Sequence, residues 1–177
     1  PRVQRVIYES RKKLKKVLAD LYPGELLISF NRDMVYSKLI QKICDENEVP
    51  VLDSGKKQLG GKMCVPFGII LNNSIIPNTV TKTLHTERIF EPDIQSFTVG
   101  HFPNYLTLEE QCKTIKSFNK PVILLDDLLH KGYRIKIVEP LLRNEEIEIS
   151  KLLVGILSGK GKEIAEIRNL NIDSAYF

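Results

Sequence analysis

The stretch Pro121-Val122-Ile123-Leu124-Leu125-Asp126-Asp127-Leu128-Leu129-His130-Lys131-Gly132-Tyr133-Arg134 decides how the chain is read. Four aliphatic residues in succession, Val122 to Leu125, predict a strand buried on both faces, as in the middle of a parallel sheet. Two adjacent carboxylates follow where that strand would end. Open parallel sheets bind ligands outside the carboxyl ends of their strands, which puts Asp126 and Asp127 at the mouth of a site. Neighbouring acids repel each other and are costly to desolvate unless donors or a cation offset them. Gly132 permits a tight turn, and Ile135, Val138 and Leu142 resume at helical spacing. Strand, acid pair, glycine turn and helix start together point to a pocket for a polyhydroxylated, phosphorylated ligand. The plainer alternative is a structural strand whose acids cap the next helix. The acidic strand end of a P-loop hydrolase is excluded: it needs an upstream G-x-x-x-x-G-K-[ST], and Gly60-Gly61-Lys62-Met63 has neither the spacing nor the hydroxyl.

The segment resembles the phosphoribosyl pyrophosphate motif of type I phosphoribosyltransferases, in which an aliphatic strand leads into two acids, two aliphatic residues and a phosphate loop. The resemblance implies that Asp126 and Asp127 face the ribose 2- and 3-hydroxyls and that His130, Lys131, Gly132, Tyr133 and Arg134 wrap the 5-phosphate. Where the family usually carries Thr-Thr-Gly-Gly-Thr, this chain has His-Lys-Gly-Tyr-Arg. A loop that grips phosphate through backbone N–H groups needs small residues, so Tyr133 stands in the way while Lys131 and Arg134 bring charge instead. The resemblance further implies that Arg32, in the turn between a first strand and helix, grips pyrophosphate, and that Mg²⁺ arrives on that pyrophosphate. The activity implied is phosphoribosyl transfer. The alternative is a non-catalytic, nucleotide-sensing module in a larger protein, with a nucleotidyltransferase-type domain as the fused partner. A phosphorylated ribose or nucleotide is the expected ligand, and a homodimer is compatible with it.

The fold expected from the strand and helix pattern and the resemblance is α/β, a mainly parallel central sheet flanked by helices with a small hood, and the bulk numbers agree with one globular domain: 177 residues, 42% hydrophobic and 27% charged, enough for a full core without staples. A net charge of +4 suits a phosphorylated ligand. Tryptophan is absent and aromatics are few, which argues against a base-stacking nucleic-acid surface. Cys44, Cys64 and Cys112 form no C-x-x-C pair and read as reduced thiols of a cytoplasmic protein. No apolar run is long enough to span a membrane, and a membrane partner is not expected. The start at Pro1 and the strand-like end at 172–177 suggest a fragment of a longer protein.

In chain order, residues 3–21 predict an amphipathic helix whose run Arg11-Lys12-Lys13-Leu14-Lys15-Lys16 is a solvated face rather than a nucleic-acid patch. Residues 25–30 predict the first buried strand, Asp33 the N-cap of a helix, and 49–52 a short strand. The Gly- and Lys-rich run 53–62 predicts a loop that could close over phosphate. It opens a hood, about 53–105, which holds strand-like residues 65–71 and a further strand within 79–90. Thr107-Leu108-Glu109-Glu110 is a capping box. Pro140 should kink or end the helix after the motif. Residues 147–157 predict another strand, and Ser158–Lys162 a turn before a short helix at 163–169. His85 and His101 have no partner at metal-ligand spacing.

Overall fold

The apolar run at 122–125 lies at the centre of a five-stranded parallel sheet. The computed structural model describes residues 2–52, 55, 58–71 and 74–177, and the chain divides into two compact units, 1–32 and 33–177. The first contains α1 (Arg2–Leu21), which covers the expected amphipathic helix but has no buried residue. After it, residues 25–30 form no strand, and Leu26 is 84% exposed. An apolar run becomes a strand only beside a neighbour that completes its ladder, and no strand of either described sheet includes residues 25–30.

The second unit is α/β. Helix α2 (Arg32–Glu46) is followed by β1 (Met63–Pro66), β2 (Val80–Thr81), β3 (Thr86–Phe90), β4 (Phe97–His101) and α3 (Leu108–Lys116). Then come β5 (Val122–Leu129), α4 (Tyr133–Asn144), β6 (Ile149–Leu157), α5 (Gly159–Ile167) and β7 (Ile172–Tyr176). The sheet runs β2-β1-β5-β6-β7, every neighbouring pair parallel. Alternation along β5 splits the core. Val122 and Leu124 pack with residues of α3, α4 and α5, whereas Ile123 and Leu125 pack with Val35, Leu39 and Ile43 of α2. Both faces are covered, as a parallel sheet requires.

Several expectations are corrected. Residues 49–52 are not a strand; Leu52 is 81% exposed and unpaired in the sheet. Helix α2 begins at Arg32, so Asp33 stands in its first turn rather than as the cap. Within the expected hood, β1 and β2 join the central sheet, and the antiparallel hairpin β3-β4 is a separate two-stranded sheet. Of the run 65–71, only Val65 and Pro66 belong to β1. In the proposed lid, Asp53, Ser54, Lys56 and Lys57 lie outside the described residues. Lys62 is committed elsewhere: with Lys151 and Ser150 it holds Glu46. Pro140 does not end α4, which continues to Asn144. The N–H it lacks would have bonded the carbonyl of Lys136, an exposed position where water can substitute. Helix α5 starts at Gly159, four residues before the expected start, because the Ser158 hydroxyl accepts from the Gly161 N–H at 3.0 Å and caps it.

The capping box at Thr107 is complete, and Leu108, Cys112 and Ile115 of α3 are buried. The cysteines are free and buried. Among the described residues no helix is long and apolar enough to cross a membrane.

Candidate functional site

Strand β5 continues past the acids to Leu129, so Asp126 and Asp127 belong to its carboxyl-terminal half rather than to the loop beyond it. The pleat separates them. Asp126 continues the Val122–Leu124 face and is buried beneath α4, its side chain 7% exposed; that of Asp127 is 68% exposed. The N–H of Asp127 donates to Asp126 Oδ1, and that of Leu128 to Asp127 Oδ1, both at 2.9 Å. After Leu129 the chain turns at Gly132, which has φ +65 and serves as N-cap of α4 without a side chain to accept from the N–H groups of the first turn. A left-handed residue here is cheapest as glycine. A Cβ at Gly132 would also lie 2.9 Å from Ile164 Cγ2.

This turn puts Arg134 one step into α4 and aims it back at the strand. Its Nη1 lies 2.5 Å from Asp126 Oδ1 and 3.6 Å from Asp127 Oδ1. Arg134, expected on a phosphate, is therefore paired with the acids. Burial pushes the Asp126 carboxyl up to about 8; the guanidinium opposes this, while Asp127 adds to it. Burial wins because a carboxylate at this depth loses most of its hydration.

A cleft of about 260 Å³ opens at this end of β5, lined by Arg88, residues 126–133 and Arg134. Every expected motif residue is on its wall: Asp126, Asp127, His130, Lys131, Gly132, Tyr133 and Arg134. His130 Nδ1 is 2.9 Å from the Ser158 hydroxyl, which ties the motif loop to the cap of α5. Tyr133 packs edge-on against Phe97 of β4, ring centroids 4.7 Å apart, and Arg88 of β3 lies over the same Phe97 ring at 5.1 Å. The hairpin is thus fastened to the motif loop through one aromatic contact. Arg88 is the cleft residue that the sequence reading missed as a site residue. It lies 38 positions before Asp126, and only the fold of the hairpin brings it there. Arg32, expected to hold pyrophosphate, is the first residue of α2 and the last of the N-terminal unit.

Among the described residues, no group of three or more His, Cys, Asp or Glu side chains could hold a metal ion. The donor chemistry of the acid pair agrees. One carboxyl is buried and retains its proton to about pH 8, and a guanidinium already bridges both. Mg²⁺ prefers an octahedral shell with several waters and charged oxygens, which this pair does not offer as a protein-held site.

No protein-family model and no curated protein matches the chain. Among solved structures it is similar to a hypoxanthine phosphoribosyltransferase from Staphylococcus aureus, at 11% identity and TM-score 0.45, over 86% of this chain and 76% of that one. A second crystal form of that protein aligns at 12% identity and TM-score 0.40, over 76% and 68%. An adenine phosphoribosyltransferase from Thermoanaerobacter pseudethanolicus aligns at 12% identity and TM-score 0.43, over 80% and 79%. At such identities no functional residue carries across.

Proposed function

We propose that residues 33–177 bind a phosphorylated ribose, with phosphoribosyl pyrophosphate as the ligand to test first. The observation that carries this reading is one cleft at the carboxyl end of the central strand that combines an acid pair, three basic side chains and a helix start without a side-chain cap. Carboxyl oxygens of Asp126 and Asp127 accept hydrogen bonds from the vicinal hydroxyls. Lys131 and the first turn of α4 receive the 5-phosphate, since a helix amino terminus and an ammonium both favour an anion. Arg88, over the Phe97 ring, supplies further positive charge to the cleft. In phosphoribosyl transfer the C1–pyrophosphate bond breaks as an oxocarbenium-like ribose forms, the exposed Asp127 carboxylate stabilises that cation, pyrophosphate departs, and the acceptor's nucleophilic atom closes the new bond to C1. Mg²⁺, where it takes part, is a companion of the pyrophosphate and has no role in the protein's own contacts.

A second reading, a binding module without transfer inside a larger protein, is favoured by one feature. The Tyr133 ring is packed on Phe97 in the loop that would have to approach a phosphate closely. Both readings place the ligand in the same cleft. Calorimetric titration of phosphoribosyl pyrophosphate into the wild type and into the Asp126→Asn/Asp127→Asn double variant tests that placement. Binding lost in the variant is the expected result; an unchanged affinity sinks the assignment. Pyrophosphate release with an added nucleobase separates transfer from binding alone.

A further inference from the structure

Arg134 stands where a type I phosphoribosyltransferase-like loop would carry a small residue, and its guanidinium faces the acids. A single nitrogen meets one oxygen of each, 2.5 Å from Asp126 and 3.6 Å from Asp127. Its backbone is well held: Gly132 fixes the turn before it, and Ile135 beside it is buried in the core. The side chain is only 26% exposed, so much of its length is packed and the bridge is less costly in entropy than an exposed pair.

We propose that Arg134 is the resident cation of this site, doing what a divalent ion would otherwise have to do for the acid pair, so that a phosphorylated ribose binds in the cleft without Mg²⁺. This rests on the ribose-phosphate reading above, but its central element, an acid pair closed to divalent ions by Arg134, is independent of the ligand. Two acids that share a site repel each other, and a cation beside them offsets that repulsion. Here the guanidinium supplies it covalently, and a chelator cannot remove it. Access agrees too. Arg134 Nη1 lies within 3.6 Å of an oxygen of each acid, the space that an ion bridging them would take with its waters. Both engaged oxygens are Oδ1 atoms, which also accept the backbone N–H groups of the next residues. The Asp127 side chain, 68% exposed, keeps carboxyl surface open to a ribose hydroxyl.

The test uses the full chain and two probes. The first is Mn²⁺ without any organic ligand, counted by electron paramagnetic resonance. Wild type should bind none up to millimolar Mn²⁺. Arg134→Gln should gain a bound ion, and the added change Asp127→Asn should remove it again. Arg134→Lys keeps the charge and should stay silent. Mn²⁺ bound by wild type and lost in Asp127→Asn overturns the proposal, and so does an Arg134→Gln variant that folds by circular dichroism yet gains nothing. Should Arg134→Gln fail to fold, the wild-type measurement still decides. The second probe is ribose 5-phosphate, titrated by calorimetry in EDTA and in millimolar Mg²⁺. Equal affinity in both supports the proposal, and binding that requires Mg²⁺ overturns it. Absence of binding under both conditions refutes the ribose-phosphate reading instead, and the Mn²⁺ result then stands for Arg134 alone.

Discussion

Replacing Asp126 by Asn should change how stability depends on pH more than how large it is at any one pH. The carboxyl is buried in the second half of β5, and burial raises its pKa to about 8 against the pull of Arg134. In the unfolded chain it titrates near its ordinary value of about 3.9. A carboxyl whose folded pKa is raised keeps a proton that the unfolded chain has released. Its contribution is therefore whole below about pH 4 and is lost as pH climbs through about 8, at roughly 1.4 kcal/mol per pH unit. Between about pH 5 and about pH 8 the wild type should lose roughly 4 kcal/mol through this group. Asn has no proton to release and keeps a carbonyl oxygen for Arg134. The stability of Asp126→Asn relative to wild type should therefore rise across that interval by the same order. Urea denaturation of both proteins at several pH values, followed by far-UV circular dichroism, reads it directly. Curves that stay parallel to within about 1 kcal/mol would refute the reasoning, because they would mean that the guanidinium outweighs burial and Asp126 ionises near its ordinary pKa.

Two further effects follow from groups away from the cleft. Partial burial raises the pKa of Glu46, but hydrogen bonds from Lys151, Lys62 and Ser150 outweigh it and hold the carboxyl down at about 2. Its contribution is thus present above about pH 4 and is lost as pH falls toward 2, so Glu46→Gln should flatten the acid limb of an unfolding-versus-pH curve. In Gly161→Ala the new Cβ would lie 2.1 Å from the carbonyl oxygen of Leu129, a backbone atom that cannot move without disturbing β5. Loss of several kcal/mol, or of soluble protein altogether, is expected, and a thermal midpoint close to wild type would contradict the contact.

The parts legible in the sequence were those where local pattern and tertiary role coincide. Val122–Leu125 is apolar at every position because both sheet faces are covered there, and the Thr107–Glu110 box is complete because capping is a local affair. Residues 25–30 and 49–52 carry equally apolar runs, yet a strand is defined by a neighbour, and composition does not say whether one arrives. Strand β1 was obscured for the converse reason: four residues ending in Pro66, just after a glycine- and lysine-rich run, hardly register as the central neighbour of β5. In the site, the acids, His130, Lys131 and Gly132 were read from their succession. The direction of Arg134 was not, because only the tight turn at Gly132 brings the first turn of α4 back over the strand it has just left. Arg88 and Phe97 are long-range members and leave no mark near the motif.

The central claim is that the cleft at the end of β5 takes a phosphorylated ribose. The most direct test is a calorimetric titration of phosphoribosyl pyrophosphate into the wild-type chain in the presence of EDTA. Saturable binding in the micromolar range, about −8 kcal/mol, is the predicted result. No binding heat up to millimolar ligand, with and without added Mg²⁺, would contradict the claim.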